Sequence, residues 1–110
     1  MDIREYIEKG IVIPLGRKGE SGVTTLYFGY ADYVEECGEG YLQILHQRAG
    51  DEAASPVVIT TEDNKAKWVV SSSDTAFAGQ GHLQVVYSAD NIKKSMVGLT
   101  EVEPSLITVT

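Results

Sequence analysis

The chain has 110 residues, with 9 Lys+Arg against 16 Asp+Glu and a formal net charge of −7. That length supports one domain with one core, which buries roughly two-thirds of the surface an unfolded chain exposes. The hydrophobic fraction of 43 % is too high for a disordered chain. The acidic balance argues against electrostatic capture of nucleic acid or of anionic membrane, because both need a basic face.

The segment Asp2 to Lys9 comes first, and Ile3, Tyr6 and Ile7 repeat there at i, i+3, i+4, a spacing that predicts one or two turns of amphipathic helix. Eight residues are marginal as a helix alone, so the apolar stripe must dock on this domain or on a neighbour. Residues 1–10 are read as an N-terminal arm and 11–110 as the sandwich domain. Asp2, Glu5 and Glu8 stand where a secretory signal would need a basic start and an apolar stretch. The longest uninterrupted apolar run, Ile11 to Leu15, is far short of a membrane span. A soluble chain made in the cytosol is the expectation.

From residue 11 onward, alternation of period two dominates. Strand-like runs stand at Ile11–Leu15, Val23–Tyr30, Tyr41–Gln47, Pro56–Thr61, Ala66–Ser71, His82–Tyr87, Ile92–Leu99 and Leu106–Val109. Each is rich in Val, Ile, Thr, Tyr or Leu and bounded by Gly, Asp, Asn or Pro. No window of a dozen residues after Gly10 has helical periodicity. The pattern predicts an all-β protein, an antiparallel sandwich or barrel.

The alternation also sorts side chains by face. Leu83, Val85 and Tyr87 share one face of their run, and His82, Gln84 and Val86 share the other. Ala66, Trp68 and Val70 point together, which predicts Trp68, the only tryptophan, as a core residue. A ligand-stacking platform is the sharper alternative for that ring. Between Ser71 and Gln80 the pattern changes. Ser73 or Asp74 can cap a helical turn of Ala76, Phe77 and Ala78 that Gly79 ends, carrying the chain between sheets with Phe77 available to plug the core. Antibody-like domains cross with a similar Asp-x-Ala segment, here Asp74-Thr75-Ala76.

Residues with chemical potential are few. Cys37 is the only cysteine, so no intrachain disulfide can form, and Glu35, Glu36 and Glu39 oppose a reactive thiolate. His46 and His82 fall in different strands and could face each other, but a metal needs a third ligand that the spacing does not supply. The cluster Asp32, Glu35, Glu36 and Glu39 lacks the pattern of a calcium loop and reads as a solvated turn. Ser71 to Ser73 lack the context of a nucleophile elbow. Gly16 to Gly22 lacks the Gly-Lys-Ser/Thr ending of a phosphate loop and reads as a hairpin or inter-sheet loop. No catalytic site, metal or cofactor is expected.

One long stretch is familiar as an ordered set. It contains Tyr41-Leu42-Gln43-Ile44, Pro56-Val57-Val58-Ile59, Trp68-Val69-Val70, Asp74-Thr75-Ala76-Phe77-Ala78-Gly79-Gln80-Gly81 and Leu83-Gln84-Val85-Val86-Tyr87, followed by Asp90-Asn91-Ile92-Lys93-Lys94-Ser95 and a run from Val97 to Val102. This order resembles the small immunoglobulin-like β-sandwich domains of tailed-bacteriophage virion proteins, such as the N-terminal domain of upper baseplate proteins and related head-fibre and tail accessory modules. The resemblance implies an antiparallel two-sheet immunoglobulin-like sandwich of seven to eight strands with a short N-terminal arm. It further implies a non-enzymatic virion structural protein, at a head-fibre, head-decoration or tail/baseplate position. Such a protein assembles in multiple copies with other virion proteins, and needs no cofactor, nucleic acid or membrane. The residues expected at partner contacts are Ile3, Tyr6 and Ile7 of the arm and Tyr27, Tyr30 and Tyr33, since tyrosine buries a ring while its hydroxyl finds a polar partner. The alternatives are a carbohydrate-binding module for host-surface attachment, with Trp68 or the tyrosines as platforms, and a regulatory domain of a larger enzyme.

Overall fold

The computed structural model describes residues 2–105. In chain order it has helix α1 (Ile3–Lys9), strands β1 (Ile13–Arg17) and β2 (Thr25–Gly29), helix α2 (Ala31–Cys37), and strands β3 (Tyr41–Gln47), β4 (Ser55–Pro56), β5 (Thr60–Glu62), β6 (Lys65–Val69), β7 (Gly79–Ala89) and β8 (Ile92–Glu103). The strands form two sheets, ordered β1-β8-β7-β3-β4 and β2-β6-β5. Their inward faces share one core, which makes the molecule a β-sandwich.

Alternation decides what enters that core. Leu42, Ile44 and His46 of β3, Leu83, Val85 and Tyr87 of β7, and Leu26 and Phe28 of β2 are buried, while their neighbours point outward. Trp68 is fully buried beside Ala66, so the ring is a core residue and offers no platform to a ligand. The β5–β6 hairpin turns on Asp63 and Asn64, whose φ angles of 51° and 58° are those a two-residue type I′ turn requires. The loop from Gly16 to Gly22 leads from β1 in the large sheet to β2 in the small one, which makes it an inter-sheet loop.

Several expectations are corrected. The pair β1–β8 is parallel, with Ile13 opposite Thr100; alternation is the same in both directions, so the sequence pattern cannot tell them apart. The run Pro56–Thr61 divides between the sheets, its start pairing as β4 with β3 and its end as β5 with β6. A second helix, α2, occupies the stretch read as a solvated turn. Tyr30, Tyr33, Val34 and Cys37 stand at i, i+3, i+4, i+7 and pack on the core, a stripe too short to show in a window of a dozen residues. Cys37 is therefore half-buried on a helix. The segment 71–78 does cross between sheets, but Phe77 is 47 % exposed and lies under the Arg48 guanidinium at 4.8 Å. Thr75 is the buried residue of that turn, donating to the Glu20 carbonyl at 2.8 Å. Asp74 reaches backward instead of capping forward: its Oδ2 accepts from the Trp68 indole N–H (3.1 Å), the Ser71 amide (2.8 Å) and the Ser71 hydroxyl (2.9 Å). The expected strand Leu106–Val109 lies outside the described residues.

Helix α1 is docked on the domain. Asp2 and Glu5 form a reciprocal capping box, and Gly10 ends the helix at φ 68°, a left-handed conformation glycine adopts without cost. Ile3 is fully buried, and α1 packs against β1, β2 and β8. At Gly98 a Cβ would stand 2.8 Å from Ile7 Cγ1, so the helix approaches β8 where there is no side chain. Arg4 ties the two helices together, donating to both Asp32 carboxylate oxygens (2.8 and 2.7 Å) and to the Gly29 carbonyl (3.0 Å). Its guanidinium also lies 4.5 Å from the Tyr33 ring centroid, a cation–π contact. The Asp32 hydrogen bond raises the Arg4 pKa, and the same bond holds the Asp32 carboxyl below its usual value.

Candidate interaction face

The residues expected at partner contacts do not act as one group. Ile3, Tyr30 and Tyr33 are buried in the domain's own core and offer no surface to a partner. Tyr6 and Ile7 pack against that core with part of their surface open, along a groove of about 140 Å³ that Ile11, Val97 and Leu99 also line. Tyr27 is 41 % exposed and stands on the outer face of the small sheet.

That outer face is charged. Register sets Tyr27 opposite Lys67 and Lys67 opposite Thr60, with Glu62 opposite Lys65 one pair along. Tyr27, Thr60, Glu62, Asp63, Lys65 and Lys67 enclose an open cleft of about 370 Å³, and the Lys65 ammonium lies 5.8 Å from the Tyr27 ring centroid. Charge on the outward face of this sheet, most of it on the central strand β6, keeps that face solvated.

The outer face of the large sheet differs. Its central row is Leu45, Gln84 and Val97, continued to Pro56 on β4. One flanking row is Gln43, Val86 and Ser95; the other is Gln47, His82 and Leu99. None of these residues is Asp, Glu, Lys or Arg. Val97 is 61 % exposed and Leu99 38 %, and Tyr41 at the end of β3 is 63 % exposed. A shallow depression of about 210 Å³ lies among Leu45, Gln47, His82, Gln84 and Val97. Val97 lines both this depression and the groove beside α1. Charges stand toward the ends of β8, as Lys93 at one end and Glu101 and Glu103 at the other, with Arg17 of β1 3.8 Å from Glu103. An uncharged centre with a charged rim is the composition of a protein–protein contact.

Sequence reasoning named His82, Gln84 and Val86 as one strand face but missed its extension to Leu45, Val97 and Leu99. The available signal was apolar residues at positions that alternation assigns to solvent. The two histidines do not face each other, since His46 points into the core and His82 outward. His46 Nε2 lies 3.0 Å from Thr100 Oγ1, Nδ1 has no hydrogen-bond partner, and burial pushes the ring pKa down. His46 also meets Trp68 edge-on at 5.5 Å. Among the described residues no three of His, Cys, Asp and Glu are grouped to hold a metal ion, and no helix is long and apolar enough to cross a membrane. No protein-family model and no curated protein matches the chain.

Proposed function

We propose that this domain is a non-enzymatic assembly module of a tailed-bacteriophage virion, docking onto other proteins through the outer face of its large sheet. The observation that carries the docking role is the uncharged patch of Leu45, Gln84, Val86, Val97 and Leu99 on a chain of net charge −7. The virion setting rests on the resemblance of residues 39–102 to phage β-sandwich domains. The sheet orders also suit an immunoglobulin-like arrangement. On this reading β2-β6-β5 take the places of B, E and D, and β8-β7-β3 those of G, F and C, with β4 in that of C′.

The test is incorporation. Wild-type and Val97→Glu protein are supplied in trans during phage production, and purified particles are quantified by mass spectrometry. Wild-type protein is expected in multiple copies per particle, with Val97→Glu excluded although its melting temperature is unchanged. Equal incorporation of both ends the docking assignment; particles lacking the wild-type protein end the virion assignment. Carbohydrate attachment is the second reading, favoured by the exposed Tyr27 ring in its polar cleft. A glycan array on which Tyr27→Ala loses a signal that Val97→Glu keeps would replace the first reading with it.

A further inference from the structure

Resting on the large sheet's outer face as the docking surface, we propose that its partner is a second copy of this chain, related by a two-fold axis along the row Pro56–Leu45–Gln84–Val97. The placement of charge points to this. Outward residues on β8 run Lys93, Ser95, Val97, Leu99, Glu101 and Glu103, the last 3.8 Å from Arg17 of β1. A cation thus stands four residues before Val97 and a carboxylate four residues after it, with the uncharged rows between.

Two sheets stacked face to face can be related by a two-fold axis lying between them and perpendicular to the strands. That operation reverses strand direction and keeps each strand over its own copy, within the usual twist of aligned sheets. Centred on Val97, it sets Lys93 of one copy against Glu101 of the other, twice. Val97, Gln84 and Leu45 then meet themselves, Val86 covers His82, and Leu99 covers Ser95. A carboxamide is donor and acceptor together, so Gln84 can pair with its own image. The contact is isologous, the same patch serving both partners.

Charge also favours a like partner over an unlike one. Two copies of a chain of net charge −7 repel unless their contact leaves few carboxylates unpaired; this face sets Glu101 where a lysine answers it and holds Glu103 beside Arg17 of its own copy. A basic partner gives no reason for Lys93 and Glu101 to stand equally far from the central row. The face measures roughly 27 by 19 Å, about 500 Å², against roughly 800 Å² per partner in standard interfaces. The dimer is therefore weak and reversible.

Sedimentation equilibrium on the full chain between about 10 µM and 1 mM covers the range a contact of this size calls for. Wild type is expected to pass from monomer to dimer. Lys93→Glu and Glu101→Lys each place like charges opposite one another twice and are expected to weaken association about three- to tenfold. The double swap restores the pairs and is expected within about twofold of wild type. Bulk repulsion would move the two single variants in opposite directions, because one makes the chain more acidic and the other less. Val97→Glu brings two carboxylates together at the axis and abolishes dimerisation, while Lys67→Glu on the small sheet leaves it intact. A wild type that stays monomeric throughout, a double swap weaker than either single, or a loss caused by Lys67→Glu overturns the proposal. If wild type is monomeric but Val97→Glu is still excluded from particles, the two-fold contact is wrong and the docking face stands.

Discussion

The two outer faces of this sandwich are built on the same alternation and carry opposite chemistry. Behind both, alternate residues enter one core. In front, the small sheet presents Lys65, Lys67 and Glu62, whereas the large sheet presents Leu45, Gln84, Val86, Val97 and Leu99. Burial constrains every inward position and leaves outward positions free to be charged. A central outward row without charge is therefore informative, because folding alone does not require it. The comparison assigns stability to the inward faces and association to one outward face, and substitutions can break that division.

The largest effect is expected at Trp68. Trp68→Ala removes a fully buried indole and leaves the Asp74 carboxylate short of a donor, and should cost about 3–5 kcal/mol in urea denaturation. Its neighbour Lys67 points outward, so Lys67→Ala should stay within about 0.5 kcal/mol. Comparable losses from both would erase the distinction between the faces.

Next comes α1. Ile3→Ala is expected to cost about 2–5 kcal/mol, because Ile3 is a core residue. A melting temperature unchanged by that substitution would return the segment to the role of a free arm. Gly98→Val should loosen the same helix, since even a Cβ meets Ile7; faster amide exchange over residues 3–9 is the readout. Arg4→Ala should cost less, about 1–2 kcal/mol, through the lost contacts to Asp32 and Gly29.

A pH titration sharpens the inward side. Burial depresses the His46 pKa from its ordinary value of 6.5, so below that pH the unfolded chain takes up a proton that the folded chain resists. Stability is then full above pH 6.5 and falls as the pH drops toward the folded value. Removing the imidazole in His46→Gln should flatten this region of the curve. The smallest expected stability change is at the outer face itself: Val97→Glu should shift the unfolding midpoint by no more than about 0.5 kcal/mol. A large loss there would make Val97 structural and weaken the case for an interaction face.

Much of the strand content was legible because period two is a local property. Tyr41–Gln47 coincides with β3, His82–Tyr87 lies inside β7, and the inward sets of both follow from the alternation. Other features were not local. Helix α2 spans seven residues, and its stripe gains meaning only when Tyr30 and Tyr33 meet Tyr87, at 5.8 and 5.7 Å between ring centroids. Tyrosines that look like interface residues in sequence became core residues once a partner strand lay beside them. Phe77 went the other way, since the crossing turn buries the smaller Thr75 and leaves the ring to Arg48.

By itself the sequence determined the β character, the alternation that sorts side chains onto inward and outward faces and the amphipathic α1. These depend on the chain's own period and on backbone preferences within a few residues. Only the tertiary structure decided that β1 runs parallel to β8, that 56–61 divides between two sheets and that α1 docks at Gly98. It alone brought Pro56, Leu45, Gln84 and Val97, from four strands, into one uncharged row. Strand direction, sheet membership and cross-strand register depend on contacts between residues far apart in the chain, and period-two alternation is unchanged by any of them.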